Sequence, residues 1–206
     1  MEFAGGMAVF PGGGVDQRDF DHQVAWAGPS PEESASRLGA SVDEARALVC
    51  AAVRETFEES GVLLAGTSED NVVADTTGED WEADRVALET HALSFTDFLE
   101  RRGLVLRSDL LAARAHWITP TCEPRRYDTW FFAARMPSGQ VALNLTTEAE
   151  HADWVRPRAL LQAQAAGQEV MLPPTQVMAE QLRLVDELDQ WLGRPVPLHA
   201  VLPSPV

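Results

Sequence analysis

The feature that most constrains this chain is one capped amphipathic helix carrying three glutamates along the edge of its apolar stripe. Ser41-Val42-Asp43-Glu44 has the S-x-x-E arrangement of a capping box, in which hydroxyl and carboxylate satisfy the exposed amides of a helix start. Ala45, Leu48, Val49, Ala52, Val53 and Thr56 recur at helical spacing, and Gly61 stands where a left-handed cap would stop the helix, so the pattern predicts a helix over 42–60. Within it, Glu55, Glu58 and Glu59 lie at i, i+3 and i+4 and share a face. At about 100° per residue they fan out beside the apolar stripe, at the edge of a core. Like charges held there repel and resist ionisation unless cations neutralise them, and hard oxygen donors specify Mg²⁺ or Mn²⁺. Arg54 stands next to Glu55, placed to hold a neighbouring carboxylate and fix which oxygen faces a metal. Taken alone, an E-x-x-E-E segment more often reads as a solvated acidic face with i, i+4 pairing, so its context decides.

Upstream, Gly5 to Val9 is a short apolar run that passes through Phe10-Pro11 into Gly12-Gly13-Gly14, a strand entering a loop whose glycines let backbone approach something closely. Residues 16–40 read as an inserted polar excursion with a short helical stretch from Pro31 to Leu38 and no recognisable chemistry. After the helix, Val62 to Ala65 reads as a strand. An acidic, mobile loop to about Asp84 follows, then a helix from Ser94 to Arg102. Ala115 to Thr119 and Tyr127 to Arg135 read as strands joined by the turn-rich Pro120 to Pro124. Asp153-Trp154-Val155 suggests a further short strand, Pro173 opens a long amphipathic helix to about Leu192, and the proline-rich tail from Arg194 reads as irregular. Strands and helices alternate without an internal repeat, so one α/β layered domain is expected over 1–193, with a tail over 194–206.

Composition narrows the function classes. The 206 residues suit one core rather than two domains. No stretch reaches the roughly 18 apolar residues of a spanning helix, and no secretory leader is recognisable, so a soluble, cytoplasmic protein is expected. A formal charge of −16 opposes nucleic-acid backbones and anionic membranes. Small anionic substrates stay open where divalent cations and arginines reverse the local field. Cys50 and Cys122 lack a C-x-x-C spacing and read as ordinary thiols, buried or partly buried.

Arg54-Glu55-Thr56-Phe57-Glu58-Glu59-Ser60-Gly61-Val62, with Phe10-Pro11-Gly12-Gly13 upstream, resembles the Nudix box. The resemblance implies an α/β/α sandwich with a mixed sheet and a loop-helix-loop that holds divalent metal for hydrolysis of a nucleoside diphosphate derivative. It implies Gly13 as a backbone metal ligand, Glu55, Glu58 and Glu59 as carboxylate ligands, and one of these glutamates as the group that takes a proton from the attacking water. Three departures accompany it. Gly13 to Arg54 spans 41 positions, roughly 27 more than the family pattern. No glutamate stands at the usual mid-box position, and Thr56 replaces an aliphatic residue. The family's first strand has no segment before Ala4, so Met1 is expected to be an internal methionine, or the chain to have a defective sheet edge and poor solubility.

The insertion, Ile118-Thr119-Pro120 and the run Arg125-Arg126-Tyr127-Asp128-Thr129-Trp130-Phe131-Phe132 look like the coenzyme A diphosphatase branch of that family. That likeness implies Arg125 and Arg126 as phosphate contacts, with a surface ion-pair role equally open, and a late-loop glutamate, Glu148 or Glu150, as a further metal ligand. Tyr127 and Trp130 could stack on a base, although alternating strand aromatics are more often core. Coenzyme A or an acyl derivative is the favoured substrate, with ADP-ribose and dinucleotides as alternatives, and a non-catalytic nucleotide-sensing module is the competing reading. Shaping the pocket or forming a homodimer contact are the roles open to the insertion.

Overall fold

In a computed structural model, residues 6–143 and 153–203 are described. The chain runs β1 (Trp26–Ala27), α1 (Pro31–Leu38), α2 (Val42–Ser60), β2 (Ala65–Gly66), α3 (Glu79–Glu89), α4 (Phe95–Arg102), β3 (Val105–Arg107), β4 (Ala112–Ile118), β5 (Asp128–Ala133), α5 (Pro157–Ala165), α6 (Pro173–Leu182), α7 (Leu188–Gly193) and β6 (Ala200–Val201). Short 3-10 turns add Gln17–Phe20 and Ser108–Leu110. Two small sheets result, ordered β1-β3-β2 and β5-β4-β6, and each contains one parallel and one antiparallel pairing. The mixed α/β class is as expected. Among the described residues no helix is long and apolar enough to cross a membrane.

Helix α2 is the axis of the core. Ser41 Oγ accepts from Glu44 N while Glu44 reaches back to Ser41 N, and Gly61 closes the helix at φ 70°, where a side chain would be strained. Its face of Ala45, Val49, Cys50, Val53 and Phe57 packs on Leu63, Leu64, Leu88, Phe98, Leu99 and Leu106. Burying side chains of this size stabilises by about 1.5–3 kcal/mol each before the entropy of ordering them is subtracted. Phe57 stacks on Phe98 with ring centroids 5.2 Å apart, which joins α2 to α4.

Several elements differ from the sequence reading. Residues 6–10 form no strand: Ala8 N donates to Val170 O, while Val9 and Phe10 are exposed. The expected strand over 62–65 shrinks to Ala65–Gly66, because Leu63 finds its partner in a side chain. Gln140 accepts from Leu63 N and donates to Leu63 O and Val73 O, doing the work of a neighbouring strand. Part of the supposed mobile loop is α3, and it is held firmly. Arg102 lies over the Trp81 ring at 3.6 Å and pairs with Asp84, which fastens α3 to α4.

Asp153 to Val155 is exposed and forms no strand, and α5, unexpected, follows it. The long helix from Pro173 ends at Leu182, and α7 starts afresh at Leu188. Neither proline nor glycine marks that break; α7 docks instead on buried Arg114, whose guanidinium donates to Trp191 O, Leu192 O and Arg194 O. The tail is not wholly irregular, since β6 pairs in parallel with β4 at His116 and Trp117. Cys50 is buried and its thiol pushed up to about 12 by that burial, whereas Cys122 is exposed rather than partly buried.

Candidate active site

The last two turns of α2 carry Arg54, Glu55, Glu58 and Glu59 to the edge of the core, where the glycine loop meets them. Each of the three glycines has its own contact. Gly12 N donates to Glu59 Oε2 at 2.9 Å. Gly13 lies so close to Glu55 that a Cβ built on it would fall 2.4–2.5 Å from the carboxylate atoms, so a side chain there would displace that carboxylate. Gly14 O accepts from Arg54 Nη2 at 2.9 Å. The three glutamates are therefore not splayed into water: Glu58 is 7% exposed, and Glu55 and Glu59 are half-buried beside the loop.

Arg54 organises the cluster. Its Nη1 donates to Glu55 Oε1 at 2.8 Å and to both Glu58 oxygens at 3.1 and 3.2 Å. Its other edge grips Asp19 bidentately, Nε to Oδ1 at 3.0 Å and Nη2 to Oδ2 at 2.9 Å. Asp19 is 2% exposed and comes from the segment that the sequence reading left without chemistry. It supplies the carboxylate for which no mid-box glutamate was found, so the statement that this position lacks a counterpart is corrected. An aspartate stands there in place of glutamate, its shorter side chain delivered by a tight turn. In that turn Asp16 accepts from Arg18 N while Asp19 accepts from Asp16 N. Thr56 is accommodated by donating its hydroxyl to Ala52 O at 2.7 Å, which removes the polar group from the apolar side.

One guanidinium thus serves three carboxylates, those of Asp19, Glu55 and Glu58, and the shortage of positive charge shows in proton affinity. Burial pushes the Glu58 carboxyl up to about 7, and repulsion from Glu55 and Asp19 adds to it, while Arg54 pulls the other way. Burial alone would lower the proton affinity of Arg54, but the hydrogen bond and charge of Asp19, with Glu55 and Glu58, outweigh it and raise it further, so Arg54 stays cationic. Among the described residues no three His, Cys, Asp or Glu side chains close into a metal cage, because Arg54 Nη1 sits between Glu55 and Glu58. The donor chemistry fits a hard divalent cation nonetheless: carboxylate oxygens, a glycine backbone against them, and a local excess of negative charge. Glu148 and Glu150 lie outside the described residues.

The hairpin residues fall elsewhere. Arg125 and Arg126 are exposed at the β4–β5 tip, and Arg126 Nε donates to Thr119 O within the same hairpin, so the structure does not tie either to the carboxylates. Tyr127 is half-buried there, its backbone N donating to Thr119 Oγ1. Trp130 packs against the core, donates to Leu38 O and stacks on His116 at 3.9 Å, which is the core role rather than a base platform.

Sequence reasoning also missed Arg85. It is 4% exposed, comes from α3 and donates through Nη1 to the backbone oxygen of Glu58 at 2.6 Å. The acidic surroundings of Arg85 hid the helix that carries it.

Comparison with known proteins follows the same lines. A family model described as the NUDT19 Nudix domain matches residues 27–184. A Caenorhabditis elegans protein described as putative nudix hydrolase 7 is 30% identical over 189 residues, covering 89% of this chain and 51% of that protein. The Xenopus laevis acyl-coenzyme A diphosphatase NUDT19 is 24% identical over 201 residues, covering 82% of this chain and 53% of its own. The chain therefore spans about half the length of these curated relatives. The crystal structure of a NUDIX hydrolase from Alicyclobacillus acidocaldarius shares the fold at a TM-score of 0.74, with 24% identity over 96% of this chain and 85% of that one.

Proposed function

Because the chain belongs to the NUDT19 Nudix domain family, we propose that it hydrolyses the phosphoanhydride bond of a nucleoside diphosphate derivative, with coenzyme A or an acyl-coenzyme A as the favoured substrate. The observation that carries the reading is the meeting of Gly12 with Glu59, Gly13 with Glu55 and Gly14 with Arg54, because it joins a close backbone approach to a concentrated set of carboxylates. Glu55, Glu58 and Glu59, with the backbone of Gly13, would hold Mg²⁺ or Mn²⁺. When bound, the cation neutralises diphosphate charge and makes water a better nucleophile near neutral pH.

The remaining work falls to the chain's own groups. Arg54, fixed by Asp19, holds the Glu55 and Glu58 carboxylates in a common orientation and keeps them from rotating into solvent. One carboxylate of the cluster takes the proton of the attacking water, and Glu58, the most buried of the three glutamates, is assigned that role. Water oxygen bonds to phosphorus, the bridging oxygen leaves, and two phosphate groups result. Arg125, Arg126 and Tyr127, at the hairpin tip, are assigned to the distal part of a long substrate.

The preference for coenzyme A rests on the name of the Xenopus laevis relative; ADP-ribose and dinucleotides share the chemistry. A panel of coenzyme A derivatives, ADP-ribose and dinucleotides incubated with Mg²⁺ or Mn²⁺, with Glu58→Gln as control, tests the proposal. Metal-dependent cleavage that Glu58→Gln loses is the expected result. Binding of a nucleotide without turnover across the whole panel would support the sensing module instead.

A further inference from the structure

The carbonyls of a helix's last turn have no partner inside the helix and must be met from outside. At the end of α2 they are met by separate parts of the chain. Gly61 N takes Phe57 O, Leu143 N takes Ser60 O, and the Thr76 hydroxyl takes Gly61 O. Glu58 O is taken by a charged side chain, Arg85 Nη1, at 2.6 Å. The aim of that guanidinium is itself fixed. Nε and Nη2 each donate to Glu82 at 2.8 Å, and Nη1 also donates to Glu89 at 3.0 Å, so two carboxylates of α3 orient the group that grips α2. A buried arginine held on three sides leaves little freedom for the turn it touches.

From this geometry we propose that Arg85 is a positioning residue of the candidate active site, anchoring the backbone of Glu58 so that Glu58 and Glu59 keep their places against the glycine loop. The inference rests on the hydrolytic reading above. It goes beyond that reading because Arg85 lies outside the glycine loop and helix that make up the site, on α3, and acts through the main chain. Small displacements of a reacting or ligating group carry large kinetic penalties, so a turn released from Arg85 loses rate while substrate affinity, set elsewhere, is kept.

Arg102 provides the control. It secures α3 to α4 through Asp84 and Trp81 and, among the described residues, makes no hydrogen bond or ion pair with α2. Wild type, Arg85→Met, Arg85→Lys and Arg102→Met are compared for metal-dependent cleavage of the diphosphate panel, for Mn²⁺ affinity by electron paramagnetic resonance of free Mn²⁺, and for urea midpoint. Arg85→Met is expected to lose about ten-fold or more in kcat, with KM changed by less than about two-fold, and to bind Mn²⁺ several-fold more weakly. Arg85→Lys, which keeps a donor for Glu58 O, regains most of both. Arg102→Met lowers the urea midpoint but leaves kcat and Mn²⁺ affinity at the wild-type level. Unchanged kcat and Mn²⁺ affinity in Arg85→Met, or an equal loss in Arg102→Met, overturns the assignment. Where Arg85→Met does not fold, Glu82→Gln, which loosens two edges of the guanidinium, is read in its place, and wild-type values there overturn it equally. If wild type cleaves nothing in the panel, the hydrolytic reading fails separately and the Mn²⁺ affinities alone decide the role of Arg85.

Discussion

Replacing Glu58 by glutamine should make the metal-free protein more stable while removing its activity. Burial and the neighbouring carboxylates raise the Glu58 carboxyl from 4.5 to about 7, so the folded chain resists giving up a proton that the unfolded chain releases readily. Below pH 4.5 both states are protonated and no penalty exists. Between 4.5 and 7 the penalty grows with pH, and above 7 it is fully present. At 1.36 kcal/mol per pH unit, that interval corresponds to about 3 kcal/mol. Glutamine has the shape of the protonated acid and never ionises, so at pH 8 in chelator the variant should exceed wild type by about 2–3 kcal/mol, shrinking to about 1 kcal/mol at pH 5. In a domain of this size the pH 8 difference corresponds to roughly 5–10 °C in Tm. Saturating Mg²⁺ should reverse the order, since only wild type retains the full carboxylate set for the cation to stabilise. Urea unfolding at the two pH values, with chelator and with Mg²⁺, reads all of this. A glutamine variant less stable than wild type at pH 8 without metal would refute the claim that Glu58 is held in an unfavourable charged state.

Other substitutions probe the same cluster. Arg54→Met leaves the Asp19 and Glu58 carboxylates buried without their cation, and should lower unfolding free energy by about 3–5 kcal/mol in urea titrations at pH 8. Arg54→Lys should recover only part of that, because one ammonium cannot reproduce the bidentate grip on Asp19. Gly13→Ala pushes a methyl into the Glu55 carboxylate and should cut kcat by about 100-fold with little change in Tm, as steady-state rates and thermal melts would show. Asp19→Asn removes one of the charges that raise the Glu58 carboxyl. In chelator the Glu58 carboxyl should therefore titrate at lower pH, read from the pH dependence of urea unfolding, and stability should fall by about 2 kcal/mol.

How much of this was legible in the sequence differs by element. Helix α2 was readable to its ends because both caps are local chemistry, Ser41 with Glu44 at one end and Gly61 at the other, and its apolar stripe is nearly continuous. Helix α3 was not, because half of its inward face is charged: Trp81 and Leu88 alternate with Asp84 and Arg85, whose burial depends on partners far away in sequence. Strand β2 was overestimated for a related reason, since the partner of Leu63 is the side chain of Gln140, 77 positions later. At the site, the spacing of the glutamates placed them on one face, and only the likeness of the whole segment to the Nudix box turned that face and the glycine loop into a site. Asp19 could not be picked out, because its role appears only when the guanidinium of Arg54, 35 positions on, reaches it.

The docking of α7 bears on where this domain can be shortened. The family match stops at residue 184, which invites cutting the chain there. Yet Arg114 is 4% exposed in the middle of β4, and among the described residues its guanidinium donates to Trp191 O, Leu192 O and Arg194 O, which lie past that point, as does the Trp191 ring 4.3 Å beneath it. A chain ending at 184 would leave a cation inside the protein with nothing to receive its protons, and would strip β4 of its parallel neighbour as well. The last twenty or so residues are therefore better regarded as the closing wall of the second sheet than as a dispensable appendage.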